Sequence, residues 1–263
     1  MKRTSEPEEL DVPKRVHIIP MGFEKDRIYQ PPIETGADKV ILLRNTSDEE
    51  HPRFHEQAEE ILKEHIQSVE YEECDIFDLY DSLGMIAELI TRHNSNNVFV
   101  NLATGSKVTA IAGMIACMAT DGNPYYVRAK EYGRPNEDSP PEYPLARNTE
   151  KIIRLPHYHI DKPSADEIAV LNFLMNKDGS ATKKQIIAYA DQNGLEFMTA
   201  TDPSTRQGKY RLLESHVLEP LRKRECIDVV EEGRHKKVRI TKRGKNTLRA
   251  FDYQLRQQGF DNL

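Results

Sequence analysis

The segment VFVNLATGSKVTAIAGMIACMA, residues 98–119, constrains the fold more than any other part of the chain. It is a short apolar run, a turn carrying Thr104, Gly105, Ser106 and Lys107, and then a helix of small residues. An uninterrupted apolar run of this kind fits a parallel strand covered on both faces, and such a strand needs a helical crossover. The turn delivers two hydroxyls, an ammonium and the free amides of a helix start to one place. A helix N-terminus with its positive dipole end suits an anion.

The same alternation recurs along the first half. Strand-like VHIIP (16–20), DKVILL (38–43), VEYEEC (69–74), NVFVNL (97–102) and NPYYVRA (123–129) alternate with helical patterns at 51–67, 76–93 and 106–120. Between 20 and 38 the pattern leaves open a loop or a loop with a short helix. Strands alternating with helices predict an α/β fold, a doubly wound parallel sheet of Rossmann-like type over 15–130. The expected strand order is 3-2-1-4-5. Ligands bind such sheets beyond the carboxyl ends of the strands where the order reverses. The loops there are PMGFEKDRI (20–28) and NLATGSK (101–107), so two unusual loops are expected to meet. Residues 1–14 are polar and predict a disordered tail. The Pro- and charge-rich stretch 131–163 reads as a linker or appended hairpin, with IIRLP as a strand.

From Ser164 the pattern changes to an α+β winged helix-turn-helix over 164–263. Ser164 and Glu167 have capping-box spacing ahead of an apolar helical face. Thr182 caps a second helix that Gly194 stops. A third helical segment follows Asp202-Pro203, with Gly208 and Pro220 leaving one helix or two open. Two strands around a turn at Glu232-Gly233 form the wing, and KNTLRAFDYQLRQQ closes with a helix. A third helix of this kind enters the major groove. It would carry Ser204, Thr205, Arg206, Lys209, Tyr210 and Arg211 toward base edges. The wing tip, Arg234, His235, Lys236 and Lys237, would meet phosphate or minor groove.

Charge supports the division. The chain carries a net −6, yet residues 164–263 hold 18 Lys+Arg against 14 Asp+Glu, and 206–249 hold 14 against 6. An asymmetry of this kind points to a polyanion partner, double-stranded DNA, for one half alone. No apolar run approaches a membrane span of about 20 residues. The charged start lacks a secretory pattern. Cys74, Cys117 and Cys226 lie far apart without a CxxC pair, so reduced, buried thiols and a cytoplasmic location are expected. NLATGSK is not a Walker A loop, because the first glycine is absent and the hydroxyl precedes Lys107. No GxGxxG, GxSxG or HExxH occurs. His51 and His55 read as surface residues, and His157 and His159 lack partners with metal-ligand spacing. No catalytic residue, metal or cofactor is assigned.

Two resemblances follow from these motifs. LEPLRKRECIDVVEEGRHKKVRITKRGK resembles winged-helix regulators of the MarR and ArsR type. The combination of PMGF after the first strand, NxxTGSK after the fourth and a following winged helix resembles the CRISPR-associated Rossmann-fold (CARF) regulators, in particular archaeal CARF–winged-helix transcription factors. That resemblance implies a homodimer with a small anionic nucleotide, a cyclic oligoadenylate, across its two-fold axis. It implies ligand contacts from Met21, Gly22, Phe23, Arg27, Ala103, Thr104, Gly105, Ser106 and Lys107. Family loops carry two adjacent glycines where this chain has Gly105 alone. The expected function is a ligand-responsive transcription regulator. A ring nuclease that cleaves its cyclic ligand and a winged-helix adaptor for proteins are the alternatives.

Overall fold

The computed structural model describes residues 12–46, 52–132, 146–199, 205–232 and 235–257. Two compact units divide the chain: one from 1–77 and 89–158, the other from 78–88 and 159–263.

In chain order the first sheet is built from β1 (Arg15–Pro20), α1 (Lys25–Glu34), β2 (Lys39–Asn45), α2 (Arg53–His65), β3 (Ser68–Cys74), α3 (Leu79–Arg92), β4 (Asn97–Asn101), α4 (Lys107–Ala119), β5 (Asn123–Tyr132) and β6 (Ala146–Arg154). Its order is β3-β2-β1-β4-β5-β6. The first five strands are parallel in the expected 3-2-1-4-5 arrangement, and β6 adds an antiparallel edge. Val16, Ile18, Ile19, Val40, Ile41, Leu42 and Leu43 are almost wholly buried. This is the uninterrupted apolar pattern that a strand covered on both faces requires. Ile28 of α1 and Ala58 and Leu62 of α2 close one face over Ile19, Val40 and Leu42. Right-handed crossovers put α4 on the other face. Its Ala112, Ala116 and Cys117 are fully buried, small enough to let the helix lie close to the sheet. Burial pushes the Cys117 thiol up to about 12, and all three cysteines are buried and unbridged.

The structure departs from the sequence pattern at two places here. The expected loop after β1 is a ten-residue helix, α1, that runs through Pro31 and Pro32. The IIRLP strand begins earlier, at Ala146, and β6 pairs with β5 along its length.

The second unit holds α5 (Ala165–Asn176), β7 (Ser180–Thr182), α6 (Lys183–Asn193), α7 (Glu196–Thr199), α8 (Arg206–Leu213), a π-helical turn (Glu214–Leu218), α9 (Glu219–Lys223), β8 (Ile227–Glu232), β9 (His235–Ile240), α10 (Lys242–Phe251) and α11 (Tyr253–Gln257). Its core joins Ile168, Leu171 and Leu174 of α5 to Ile186 of α6, Leu213 and Leu221 of the third helical segment, and Val238 of the wing. A three-stranded sheet, β7-β9-β8, forms the wing. Thr182 caps α6 in a full capping box with Gln185, and Gly194 ends it with a positive φ of 63°. Ser164 caps α5, but the expected box is incomplete. The Glu167 carboxylate turns instead to Arg224, 3.0 Å away. The third helical segment is neither one regular helix nor two. A π-helical turn links α8 to α9, and Pro220, which has no N–H to donate back to that turn, is the second residue of α9.

Candidate functional site

The two loops meet. A Cβ added to Gly22 would collide with the backbone of Gly105, and one on Gly105 would lie 2.7 Å from the Pro20 side chain. Gly105 also has a φ of 78°, a conformation that favours glycine. Two glycines therefore let the ends of β1 and β4 touch backbone to backbone.

Buried hydrogen bonds hold this junction. Pro31 cannot donate to the carbonyl of Arg27 four residues earlier. Asn101 Nδ2, at the end of β4, donates to that carbonyl at 2.9 Å, and Asn101 Oδ1 accepts from Ala103 N at 2.9 Å. Arg27 closes the circuit: Nη1 donates to Ala103 O at 3.2 Å and Nη2 to Tyr132 Oη at 2.8 Å. Its guanidinium lies over the rings of Tyr126 and Tyr132. On the other side Ser106 Oγ accepts from Thr109 N at 2.9 Å and caps α4. Ser106 and Thr109 hydroxyls both donate to the carbonyl of Ile76.

This arrangement sorts the nine expected contacts. Met21, Arg27, Ala103 and Thr104 are buried, each 9% exposed or less. The structure engages the Arg27 guanidinium internally, so it shapes the NLATGSK loop and is not an open anion contact. Asp26 likewise turns away, accepting from Asn148 N at 2.7 Å. Gly22, Gly105 and Ser106 form the junction through backbone and cap. Phe23 is 44% exposed, with its ring 6.4 Å from that of Phe54. Lys107 is exposed and has no partner among the described residues. It opens α4, where the first-turn amides have no intrahelical acceptor. Ser106 satisfies that of Thr109, leaving those of Lys107 and Val108 without an intrahelical acceptor. Thr104 Oγ1 and Glu24 Oε2 are buried without a hydrogen-bond partner. Burial raises the Glu24 carboxyl above the usual range, and the Arg27 charge opposes it.

His55 was expected at the surface and is buried instead. Its Nε2 lies 2.6 Å from the carbonyl oxygen of Gly22, so α2 also grips the first loop. His51 lies outside the described residues. His55 was read only as a surface residue, and Asn101 only as the first residue of the NxxTGSK motif, without a role of its own. The signal for Asn101 was the Pro31-Pro32 pair, which guarantees carbonyls in need of outside donors.

In the second unit Thr205 caps α8, its Oγ1 accepting from Gly208 N at 3.1 Å. Arg206 and Arg211 are exposed on α8, with the Arg206 guanidinium 5.9 Å from the centre of the Tyr210 ring. Lys209 is paired with Asp191 at 2.6 Å, so its charge is partly spent within the protein. On the wing, Lys236 lies 3.5 Å from Glu231, and Lys237 pairs across to Thr182 and Val230 in register. His235 opens β9. Ser204 and Arg234 lie outside the described residues. Glu214, in the π-helical turn, binds Lys183 and Arg222 at 2.5 and 2.8 Å. Burial alone would raise its carboxyl, but these two hydrogen-bonded cations hold it below the usual range. Among the described residues no cluster of His, Cys, Asp and Glu suits a metal ion, and no helix is long and apolar enough to cross a membrane.

Fold and loops together define a class: a Rossmann-like domain with paired loops over its strand ends, followed by a winged helix. Residues 15–132 match the family model described as "HFX_2341_N:-like, N-terminal", and residues 166–252 match the DUF6293 C-terminal winged helix domain. A stretch of 124 residues is 31% identical to the uncharacterized protein MJ1513 of Methanocaldococcus jannaschii, covering 43% of this chain and 37% of that relative. Similar solved structures include Can2 from Sulfobacillus thermosulfidooxidans in complex with cyclic tetra-adenylate, at 12% identity and a TM-score of 0.41, covering 94% of this chain and 66% of Can2. Enterococcus italicus Csm6 bound to cyclic hexa-2'-fluoro-hexa-dAMP is similar at 10% identity and a TM-score of 0.39, over 81% and 56%. The chain thus spans about a third of the curated relative and less than two thirds of these two structures.

Proposed function

We propose that this protein is a non-enzymatic, ligand-responsive regulator that binds double-stranded DNA. In this reading its first unit takes a small anionic nucleotide, a cyclic oligoadenylate, and works as a homodimer. The observation that carries the reading is the loop junction. Gly22 and Gly105 touch where α4 begins, and Lys107, exposed and without a partner among the described residues, is the first residue of that helix. Backbone amides and a free ammonium are the donors that a phosphodiester needs. Phe23, on the adjoining loop, offers an exposed ring for a base. The buried, internally bonded Arg27 and Asn101 supply rigidity, which lowers the cost of ordering the loops on binding.

The winged helix supplies the output. Arg206 and Arg211 on α8, with Lys236 on the wing, contact duplex DNA, and a two-fold dimer reads a pseudo-palindromic site. Ligand control requires the two arrangements of the dimer to differ in ligand affinity. Fluorescence anisotropy with duplexes from upstream of the chain's own gene, run as a salt titration, tests this. Affinity should fall steeply with salt, change on adding a cyclic oligoadenylate, and drop in Arg206→Ala. Absent or salt-insensitive duplex binding would refute the regulator reading.

A further inference from the structure

The first unit holds a cavity at the end of the strands opposite to the loop junction. Its volume is about 410 Å³, within the range of small-molecule sites. The origin of the cavity lies in the coverage of the sheet. Two helices, α1 and α2, serve one face of six strands. Asp26 and Gln30 tie α1 to β6 through the amides of Asn148 and Thr149. The helix ends at Glu34, and past its end the lower part of β4 and β6 is left open. Phe99 therefore stays only partly buried although it lies on a central strand, and Ile152 of β6 is likewise part-exposed.

The floor is fixed by a buried chain of hydrogen bonds. Thr35 Oγ1 donates to Pro31 O at 2.7 Å, so it accepts from His17 Nε2 at 3.3 Å. His17 Nδ1 is then the acceptor for Tyr125 Oη at 3.1 Å. This tautomer leaves His17 neutral, stacked on Phe99 with ring centroids 5.1 Å apart. Burial, helped by the Arg15 charge, lowers its pKa to about 4. The walls are thus apolar and uncharged in their depth. The rim is cationic, with Arg15 and Arg154 both exposed and both lining the cavity. Arg15 spends Nη1 on Thr35 O at 2.6 Å and Arg154 spends Nη2 on Asn123 Oδ1 at 2.9 Å, which orients the two guanidinium groups and leaves further N–H donors on each. No Asp or Glu lines the cavity.

We propose that this cavity is a second ligand site, for a small planar organic anion such as an aromatic carboxylate. Its ring lies against Phe99 and Ile152, and its carboxylate is held by Arg15 and Arg154. The site is independent of the nucleotide reading, since none of its residues belongs to either loop of the junction.

The test is calorimetric titration of the full chain with indole-3-carboxylate, benzoate and the neutral indole-3-carboxamide. At least one carboxylate should bind, and the amide should bind about tenfold more weakly, as the loss of a charge-assisted hydrogen bond dictates. Arg154→Ala, an exposed substitution, should weaken the carboxylate by about the same factor. Ile152→Trp, which fills the cavity from its part-exposed wall, should abolish binding, with circular dichroism confirming the fold. Binding of neither carboxylate, equal binding of the amide, or unchanged affinity in both variants would overturn the proposal.

Discussion

The loop junction and the winged helix present charge in opposite ways. At the junction the cations and polar groups are mostly consumed: Arg27, Asn101 and His55 are buried and bonded to backbone carbonyls, and Lys107 is left over. On the winged helix the cations stay near the surface, several of them loosely paired, as Lys209 is with Asp191 and Lys236 with Glu231. The first arrangement suits a site of defined shape, where rigid donors select one ligand. The second suits a polyanion, which displaces weak surface pairs and is held by the sum of many contacts. In the proposed reading one region recognises by geometry and the other by charge density.

That contrast can be broken most strongly at the glycines. Gly22→Ala should destabilise the first unit by about 1–3 kcal/mol, because its methyl group meets the Gly105 backbone, which cannot yield as a side chain would. It should also abolish nucleotide binding, and denaturant unfolding with ligand titration would measure both.

A second effect of similar size concerns pH. His17 is held neutral in the fold with a pKa of about 4, against 6.5 for the free side chain. The unfolded chain therefore binds the extra proton between these values. Stability should be unaffected above pH 6.5, decline as pH falls toward 4, and lose in total about 3 kcal/mol by linkage. His17→Gln should flatten that decline in denaturant midpoints measured from pH 7 to 4.

Asn101→Leu sharpens the account of the proline pair. It leaves the Arg27 carbonyl and the Ala103 amide without partners, at a cost of about 1–3 kcal/mol, and should loosen the NLATGSK loop in hydrogen exchange. The smallest effects on stability belong to the winged helix. Arg211→Ala, an exposed change, should move the unfolding midpoint little. It should lower the slope of log affinity against log salt by about 1 in duplex-binding titrations, as the loss of one phosphate contact does.

The strand order, the meeting of the two loops and the caps at Ser164 and Thr182 were all legible in the sequence. Each rests on local chemistry: apolar periodicity, a glycine that must have a positive φ, or a hydroxyl before a helix. What escaped the sequence depends on partners far away in the chain. The stretch around Pro31-Pro32 read as a loop with a short helix at best, but Asn101, some seventy residues on, supplies the donor that lets α1 run through both prolines. Arg27 was expected as a ligand contact because nothing local reveals the carbonyl of Ala103 or the ring of Tyr132. His55 looked like a surface residue because the carbonyl of Gly22 is set before it only by folding. The pairing of Glu167 with Arg224 rather than its own cap has the same cause.

Thermal unfolding of the wild-type chain and of Lys107→Ala, with and without cyclic tetra- and hexa-adenylate, tests the central claim most directly. A saturating ligand stabilises the state it binds by about 2.7 kcal/mol at a hundred times its Kd. A nucleotide site at the start of α4 should give a rise of several degrees in the wild type with one of these rings, lost in Lys107→Ala, whose own unfolding temperature stays near that of the wild type. No shift with either ring, or an equal shift in the variant, would contradict a nucleotide site at the start of α4.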